Sequence, residues 1–413
     1  MKKYLFIFLI FIVSCTKNTI TEDENIILTN KNNNSELLTK SESIAISIED
    51  SNNLEISEEN ALKLLNIKLN NSTKILSAKL QSKNELFYEY NINGGYALVS
   101  TDKRIPEVFC IVEKGTISDT SYNQGLKIFF HGLRNYIKGE KIKMNNIDSL
   151  KRSANEKIKT AMVTKSIPEI STDNGWVYIG DRYVKTYPIL KEYNITTKWG
   201  QYSPFNANLP LKINDKGNYV HTSAGCGVTA VAQLMAFHKK GLYTTEVWNK
   251  VISTNYNYEL QHLYEVIFDE MIIKNKNSYE YDYAESTLSD SKSFLQKFGY
   301  DCSRVANYSF DRIVEAMNYG PTLVKGNLPN NGYGHDWIVE GARKEQTQLY
   351  EIYELEYGDR IITEELLQYS YVRSEVKINW GWKGEDDGWF TSGAFNTDNG
   401  ELNNSNEMIL NIH

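Results

Sequence analysis

The stretch Thr222–His238, TSAGCGVTAVAQLMAFH, constrains this chain more than any other. It sets a cysteine between two glycines at the mouth of an apolar run. Val228, Val231, Ala232 and Met235 recur at spacings of three and four, which predicts a helix with one buried face. Thr222 or Ser223 stands where a cap is expected, and Lys239-Lys240-Gly241 supplies cations and a glycine at the exit. Cys226 then falls in the first turn, where backbone N–H groups lack helical partners and the positive end of the dipole favours a thiolate. Free cysteine is often just a small core residue. A packing thiol needs no flanking glycines, however, whereas a nucleophile needs the open approach that Gly225 and Gly227 leave.

A thiolate needs a base and a group to orient it. "NGYGHDWIVEGAR" places His335 after a glycine-rich turn, at the start of a strand carrying Trp337 and Val339. A lone histidine is more often structural. Further on, in "VKINWGWKGEDDGWF", a strand is expected to end at Asn379, with Trp380, Gly381 and Trp382 following at once. An asparagine amide can accept from one imidazole nitrogen and fix the tautomer, and a tryptophan can shield that bond. Upstream, "TTKWGQYSPFN" offers Gln201, whose side-chain N–H groups could join the Cys226 backbone N–H as an oxyanion hole.

The order Gln201, Cys226, His335, Asn379 is that of papain-like cysteine peptidases. The papain signature C-G-[SA]-C-[WY] is absent. Gly225-Cys226 with Thr229-Ala230, Ala232-Gln233 and Met235, then Gly334-His335, then Asn379-Trp380-Gly381-Trp382, resemble the streptopain family of bacterial cysteine peptidases. Trp199-x-Gln201-x-x-Pro204-x-Asn206 and Gly320-Pro321 before the strand Thr322 to Lys325 are similar to that family too. The resemblance implies an α+β fold with a papain-like peptidase domain, cysteine on a helix N-terminus and histidine and asparagine on an antiparallel sheet. It implies a Cys226–His335 thiolate–imidazolium pair, with Asn379 orienting the ring and Gln201 at the oxyanion. Trp380, Trp382, Gly225 and Gly334 are the expected substrate-side residues. Substrates would be proteins or peptides, and no cofactor is called for. "NINGGYALVSTDKRIPEVFCIV" is similar to the family's inhibitory prosegment, which implies a zymogen whose partner is its own prodomain. Gly227 departs from the family, where a β-branched or apolar residue is commoner, and Lys383 interrupts a usually glycine-rich loop. A catalytically silent surface binding protein and a transglutaminase-like acyl transferase are the alternatives on the same fold.

The 413 residues, 41% of them hydrophobic, are enough for two domains with cores. A net charge of −7 argues against nucleic acid as a partner. The chain opens with a targeting pattern: Lys2 and Lys3, an apolar run from Leu5 to Val13, and Ser14-Cys15. Ile12-Val13-Ser14-Cys15 resembles a bacterial lipobox, which implies acylation at Cys15, a membrane anchor, and an exported cell-envelope lipoprotein at the outer membrane or cell surface. The expected organisation is signal peptide and lipobox 1–15, flexible tether 16–45, inhibitory prodomain 46–160, cleavable linker 161–175 and peptidase domain 176–413. Within the prodomain, a helix is expected from Ser57-Glu58-Glu59, strands at Leu86 to Ile92, Tyr96 to Ser100 and Val108 to Val112, and a hairpin turn at Asn93-Gly94. The whole of 151–175 is polar and weakly patterned.

Other residues get plainer readings. Cys110 and Cys302 are expected to pack, and no metal constellation is evident. Asp336, next to His335 on a strand, should point to the opposite face and take no part as a triad acid. His238 should complement its helix dipole. "GEDDG", 384–388, reads as a solvated turn that lacks a calcium-loop pattern.

Overall fold

The computed structural model describes residues 41–46, 54–70, 78–117, 122–161, 176–186, 188–253, 257–328, 334–357, 360–396 and 406–413. The expected signal peptide, Cys15, most of the tether and nearly all of the linker lie outside the described residues. Residues 38–413 form one compact unit.

The chain enters through β1 (Ser41–Ile46), so the segment expected as a tether ends in a strand. Helix α1 (Glu58–Asn70) starts on two acids, which suit its positive end. A meander follows: β2 (Ala78–Lys83), β3 (Phe87–Ile92), β4 (Gly95–Ser100) and β5 (Val108–Val112). Asn93 and Gly94 both take positive φ, 42° and 92°, as a two-residue hairpin turn requires. Every residue of β4 and β5 is buried, because both faces are covered. Ala61, Leu64, Leu65 and Leu69 of α1 pack on Ala97, Val99 and Val108, while Tyr96, Leu98 and Cys110 join the core beneath α2 (Gln124–Ala161). Leu126, Phe129, Leu133, Tyr136 and Ile137 make the buried stripe of α2 at helical spacing. The helix continues to Ala161, into the polar stretch read as the start of a linker.

Next come β6 (Trp176–Thr186), β7 (Ile189–Glu192), β8 (Leu211–Ile213), β9 (Tyr219–His221) and the helices α3 (Cys226–His238), α4 (Thr245–Ser253) and α5 (Tyr258–Phe268). After α6 (Leu288–Lys297), β10 (Val305–Asn307) and α7 (Phe310–Ala316), the chain finishes in strands: β11 (Thr322–Asn327), β12 (Gly334–Tyr357), β13 (Arg360–Asn379), β14 (Gly388–Thr391) and β15 (Glu407–Ile409). Among the described residues there are thus seven α-helices and a 13-stranded sheet, an α+β fold as expected. The sheet runs β10-β15-β11-β12-β13-β14-β5-β4-β3-β2, with β6 and β7 paired to β12 and β1 to β6. It therefore joins the two stretches read as prodomain and peptidase. Gly388, Trp389 and Phe390 of β14 pair antiparallel with Val112, Ile111 and Cys110 of β5.

A cluster of buried charge spans the same junction. Lys68 of α1 pairs with Glu345 of β12 and Glu375 of β13, Lys185 of β6 pairs with Glu345, and Arg343 pairs with Glu375. Against the cost of burial, the Lys185 and Lys68 ammonium groups hold the Glu345 carboxyl well below the usual range. Such ions tolerate burial only with each other as partners, so α1 and the β12–β13 hairpin are tied in one geometry.

Candidate active site

Gly225 is the N-cap of α3, with φ 82° and ψ 158°, and no side chain caps the helix. The cap expected of Thr222 or Ser223 is not made. Instead the Gly225 N–H donates to Ser223 Oγ at 3.2 Å. Any Cβ at 225 would come within 2.6 Å of the Ala284 carbonyl oxygen, and the positive φ disfavours other residues as well. All residues from Gly227 to Ala236 are buried. The helix is therefore central, with no solvent face, which the three-and-four spacing alone does not reveal. Cys226, its first residue, opens on a cleft of about 560 Å³ lined also by Gln201, Lys325, Gly334, His335 and Trp382, and by Tyr122 and Gln124 ahead of and at the start of α2. Gln201 is held to the helix entrance: its carbonyl accepts from the Ala224 N–H at 2.8 Å, and its Oε1 accepts from Ser223 Oγ at 3.3 Å.

His335 is the second residue of β12. Its Nε2 lies 2.9 Å from the Trp380 carbonyl oxygen. That oxygen can only accept, so Nε2 carries the hydrogen and Nδ1 is the free acceptor. The Trp382 ring stacks on the imidazole with centroids 6.1 Å apart and planes 7° from parallel. On the other side stands the first turn of α2. A Cβ on Gly125 would lie 2.2 Å from the Trp380 ring and 2.9 Å from His335 Cδ2, so only glycine fits there. Asn379 ends β13 as expected, and its amide is occupied elsewhere. Gln233 Nε2 donates to Asn379 Oδ1 at 3.1 Å, the Gly381 N–H donates to the same oxygen at 3.0 Å, and Asn379 Nδ2 donates to Gln233 Oε1 at 3.3 Å.

The match to known proteins falls on this cleft. The Peptidase C10 family model matches residues 199–390, a span that holds Gln201, Cys226, His335 and Asn379. Over 352 residues the chain is 23% identical to streptopain of Streptococcus pyogenes serotype M1, covering 78% of this chain and 77% of that one. Streptopain of serotype M28, strain MGAS6180, is similar at the same identity and coverage. The family and these relatives support a cysteine peptidase, and with it protein substrates.

Within the matched residues, the electrostatics run against a ready ion pair. Burial and then the Asp336 carboxylate push the Cys226 thiol up to about 12, with Lys325 only partly offsetting them. Burial and the Lys325 cation lower His335 to about 4, against the bond to Trp380. Both groups are therefore neutral near pH 7. Asp336 does face away from His335, as alternation predicts. The face it points to carries Cys226, whose Sγ lies 3.6 Å from Asp336 Oδ2.

The turn 384–388 is only partly solvated. Asp386 and Asp387 are buried, and Asp386 has φ 63°. Asp386 Oδ2 accepts from Tyr122 Oη at 2.6 Å and from Asn123 Nδ2 at 3.1 Å. Asp387 Oδ1 accepts from the Trp380 N–H at 2.9 Å, and its Oδ2 pairs with Lys198 at 2.8 Å. Lys383, the departure noted in this loop, takes φ 58° and donates to the Ser203 carbonyl at 2.9 Å. His238 is lowered to about 4 by burial and then Lys240, so it is a neutral side chain packed on Phe237 and Tyr300 and not a cation on the dipole. Cys110 and Cys302 are buried, unpaired and packed in the core. No group of His, Cys, Asp and Glu among the described residues could hold a metal ion, and no helix among them is long and apolar enough to cross a membrane.

Proposed function

We propose that this chain is a cysteine endopeptidase made as a zymogen and held latent by its own residues 46–160. The observation that carries the reading is the shared cleft. Cys226 at a helix N-terminus and His335 on the facing strand both line it, and so do Tyr122 and Gln124 of the N-terminal segment. In the reaction, His335 Nδ1 takes the Cys226 proton, the thiolate attacks the scissile carbonyl, and the Cys226 N–H and Gln201 amide hold the oxyanion. The imidazolium then protonates the leaving amine, and water frees the acyl-enzyme with His335 as base. Asn379, exchanging its bond to Gln233 for one to the imidazole, orients the ring, and the two tryptophans cover it. Latency is the state with His335 bound to the Trp380 carbonyl and boxed in by Trp382 and Gly125. Cutting between 161 and 175 ends the tethering that gives the N-terminal segment a high effective concentration. Export and lipid anchoring at Cys15 complete the reading and rest on the sequence pattern.

The test is casein cleavage by the full chain. Cys226→Ala and His335→Ala should each lower it by at least about 10³-fold, because the pair acts as a unit, and Cys226→Ala should also leave the chain uncut. Cleavage that survives Cys226→Ala ends the reading. A catalytically silent surface protein is the second reading, favoured by the neutral state of Cys226 and His335 and by their bonds to Asp336 and Trp380. It predicts no cleavage even after a trace of another protease has opened the linker.

A further inference from the structure

We propose that Asp336, paired with Lys325, is a positioning residue that holds the Cys226 sulfur as an unreactive thiol, and that Gly227 exists to admit its carboxylate. The purpose assigned to this contact rests on the cysteine-peptidase reading; the contact itself does not.

Three placements converge. Strand alternation sends His335 to one face of β12 and Asp336 to the other, toward the first turn of α3. The β11–β12 register sets Lys325 directly opposite Asp336, and Lys325 Nζ lies 3.5 Å from Asp336 Oδ2 while donating to the Ser286 carbonyl at 2.7 Å. Asp336 is 1% exposed, its Oδ2 accepts the Cys226 S–H, and its Oδ1 has no hydrogen-bond partner among the described residues. The third placement is Gly227. A Cβ there would come 2.9 Å from Asp336 Oδ2 and 2.2 Å from Ser286 Oγ. The β-branched or apolar residue that the family resemblance leads one to expect at 227 cannot coexist with these two groups as they stand. The small residue at 227 leaves the room that the carboxylate at 336 occupies.

A buried carboxylate that accepts an S–H bond stabilises the thiol and repels the thiolate. The charged groups around the sulfur are Asp336 on β12, Lys325 on β11 and, further out, Glu285 acting on Lys325 and Asp290 acting on Asp336. His335, which lines the same cleft, is neutral. At the sulfur itself the Asp336 carboxyl raises the thiol more than Lys325 lowers it, while burial pushes Asp336 up in turn and Lys325 and the Cys226 S–H hold it down. Productive chemistry then takes two exchanges: His335 must leave the Trp380 carbonyl, and Sγ must leave Asp336.

The experiment is the pH dependence of Cys226 alkylation by iodoacetamide in the intact full-length chain, read by mass spectrometry of the Cys226 peptide. In the unsubstituted chain the midpoint should lie above the ordinary thiol value of about 8.5. Asp336→Asn and Asp336→Ala should each lower it by about one pH unit, making alkylation near neutral pH about tenfold faster. An unsubstituted chain that titrates at or below the ordinary value overturns the proposal, and it needs no variant to fold. So does an unchanged midpoint in both variants, or a fall in the alanine variant alone, which would trace the effect to shape and not charge. Casein cleavage in the same samples reads the peptidase separately: a shifted midpoint without cleavage keeps the thiol assignment and removes the peptidase, and cleavage with no shift does the reverse.

Discussion

The two sides of the cleft are built from different lengths of chain. Cys226 sits on a helix whose core, including Trp199, Val231, Leu234, Tyr264, Leu295 and Ile409, comes entirely from residues 195–412. His335 and Asn379 sit on a sheet whose core mixes Trp337, Val376, Trp380 and Phe390 with Tyr96, Leu98, Phe109, Leu126, Phe129 and Leu133. The cysteine side can be assembled by the C-terminal segment alone, whereas the histidine side is completed by the N-terminal one. On the proposed function, control is exerted where the core is shared: the nucleophile's helix is preformed, and the imidazole is the part that the N-terminal segment can hold.

The contrast can be broken or sharpened at several strengths, each in the Cys226→Ala background so that the chain stays whole. The largest effect is expected for Phe129→Ala. That ring contacts Phe390 and Phe395 with centroids 4.9 and 5.8 Å away, and its loss should cost about 3–5 kcal/mol in denaturant unfolding. Amides of β13 and β14 should exchange faster while those of α3 keep their protection. Equal loss in α3 would mean the two cores are one. Asp386→Ala comes next. It strips the acceptor from Tyr122 and Asn123 and should cost about 1–3 kcal/mol. In a chain that retains Cys226 it should also speed cleavage at 161–175, and an unchanged conversion rate would remove Asp386 from the control of latency.

The smallest effect is expected with pH. His335 is lowered in the fold, so the stability it contributes is complete above its ordinary value of about 6.5 and is lost as pH falls toward about 4. The unfolded chain binds the proton that the fold refuses, so stability must decline in that window. Between pH 7 and 5.5 the loss should be about 1 kcal/mol, read as the difference between melting curves with and without His335→Gln. A difference that is flat across the window would place the imidazole in water, not against Trp380.

Local chemistry made part of this legible in the sequence. Asn93-Gly94 dictates a left-handed turn whatever surrounds it, and the β13 strand does end at Asn379. The glycines around Cys226 point to an open approach because backbone constraints are written locally. Helix α2 was not legible to its end, because residues 151–161 fall in the polar, weakly patterned stretch that reads as a linker. The hydrogen-bond partners of His335 and Cys226 were not legible either. Gly125 lies far upstream of His335, and Asp336 reaches Cys226 only because β11 and β12 take one register. Alternation correctly sent Asp336 away from His335, but it could not say what waits on the other face. For Asp386 and Asp387, acidity and a glycine-rich setting suggested water, while their partners Tyr122, Asn123 and Lys198 come from distant segments.

The pairing of β14 with β5 has one more consequence. Gly388, Trp389 and Phe390 find their outer hydrogen-bond partners only in residues 110–112. Any event that carries the N-terminal meander away uncaps a sheet edge and leaves a row of unpaired N–H and C=O groups beside apolar side chains. Such an edge is a template for strand addition, open to a peptide in extended form or to a second molecule of the same kind. Release of the N-terminal segment would therefore create an adhesive border as well as an open cleft.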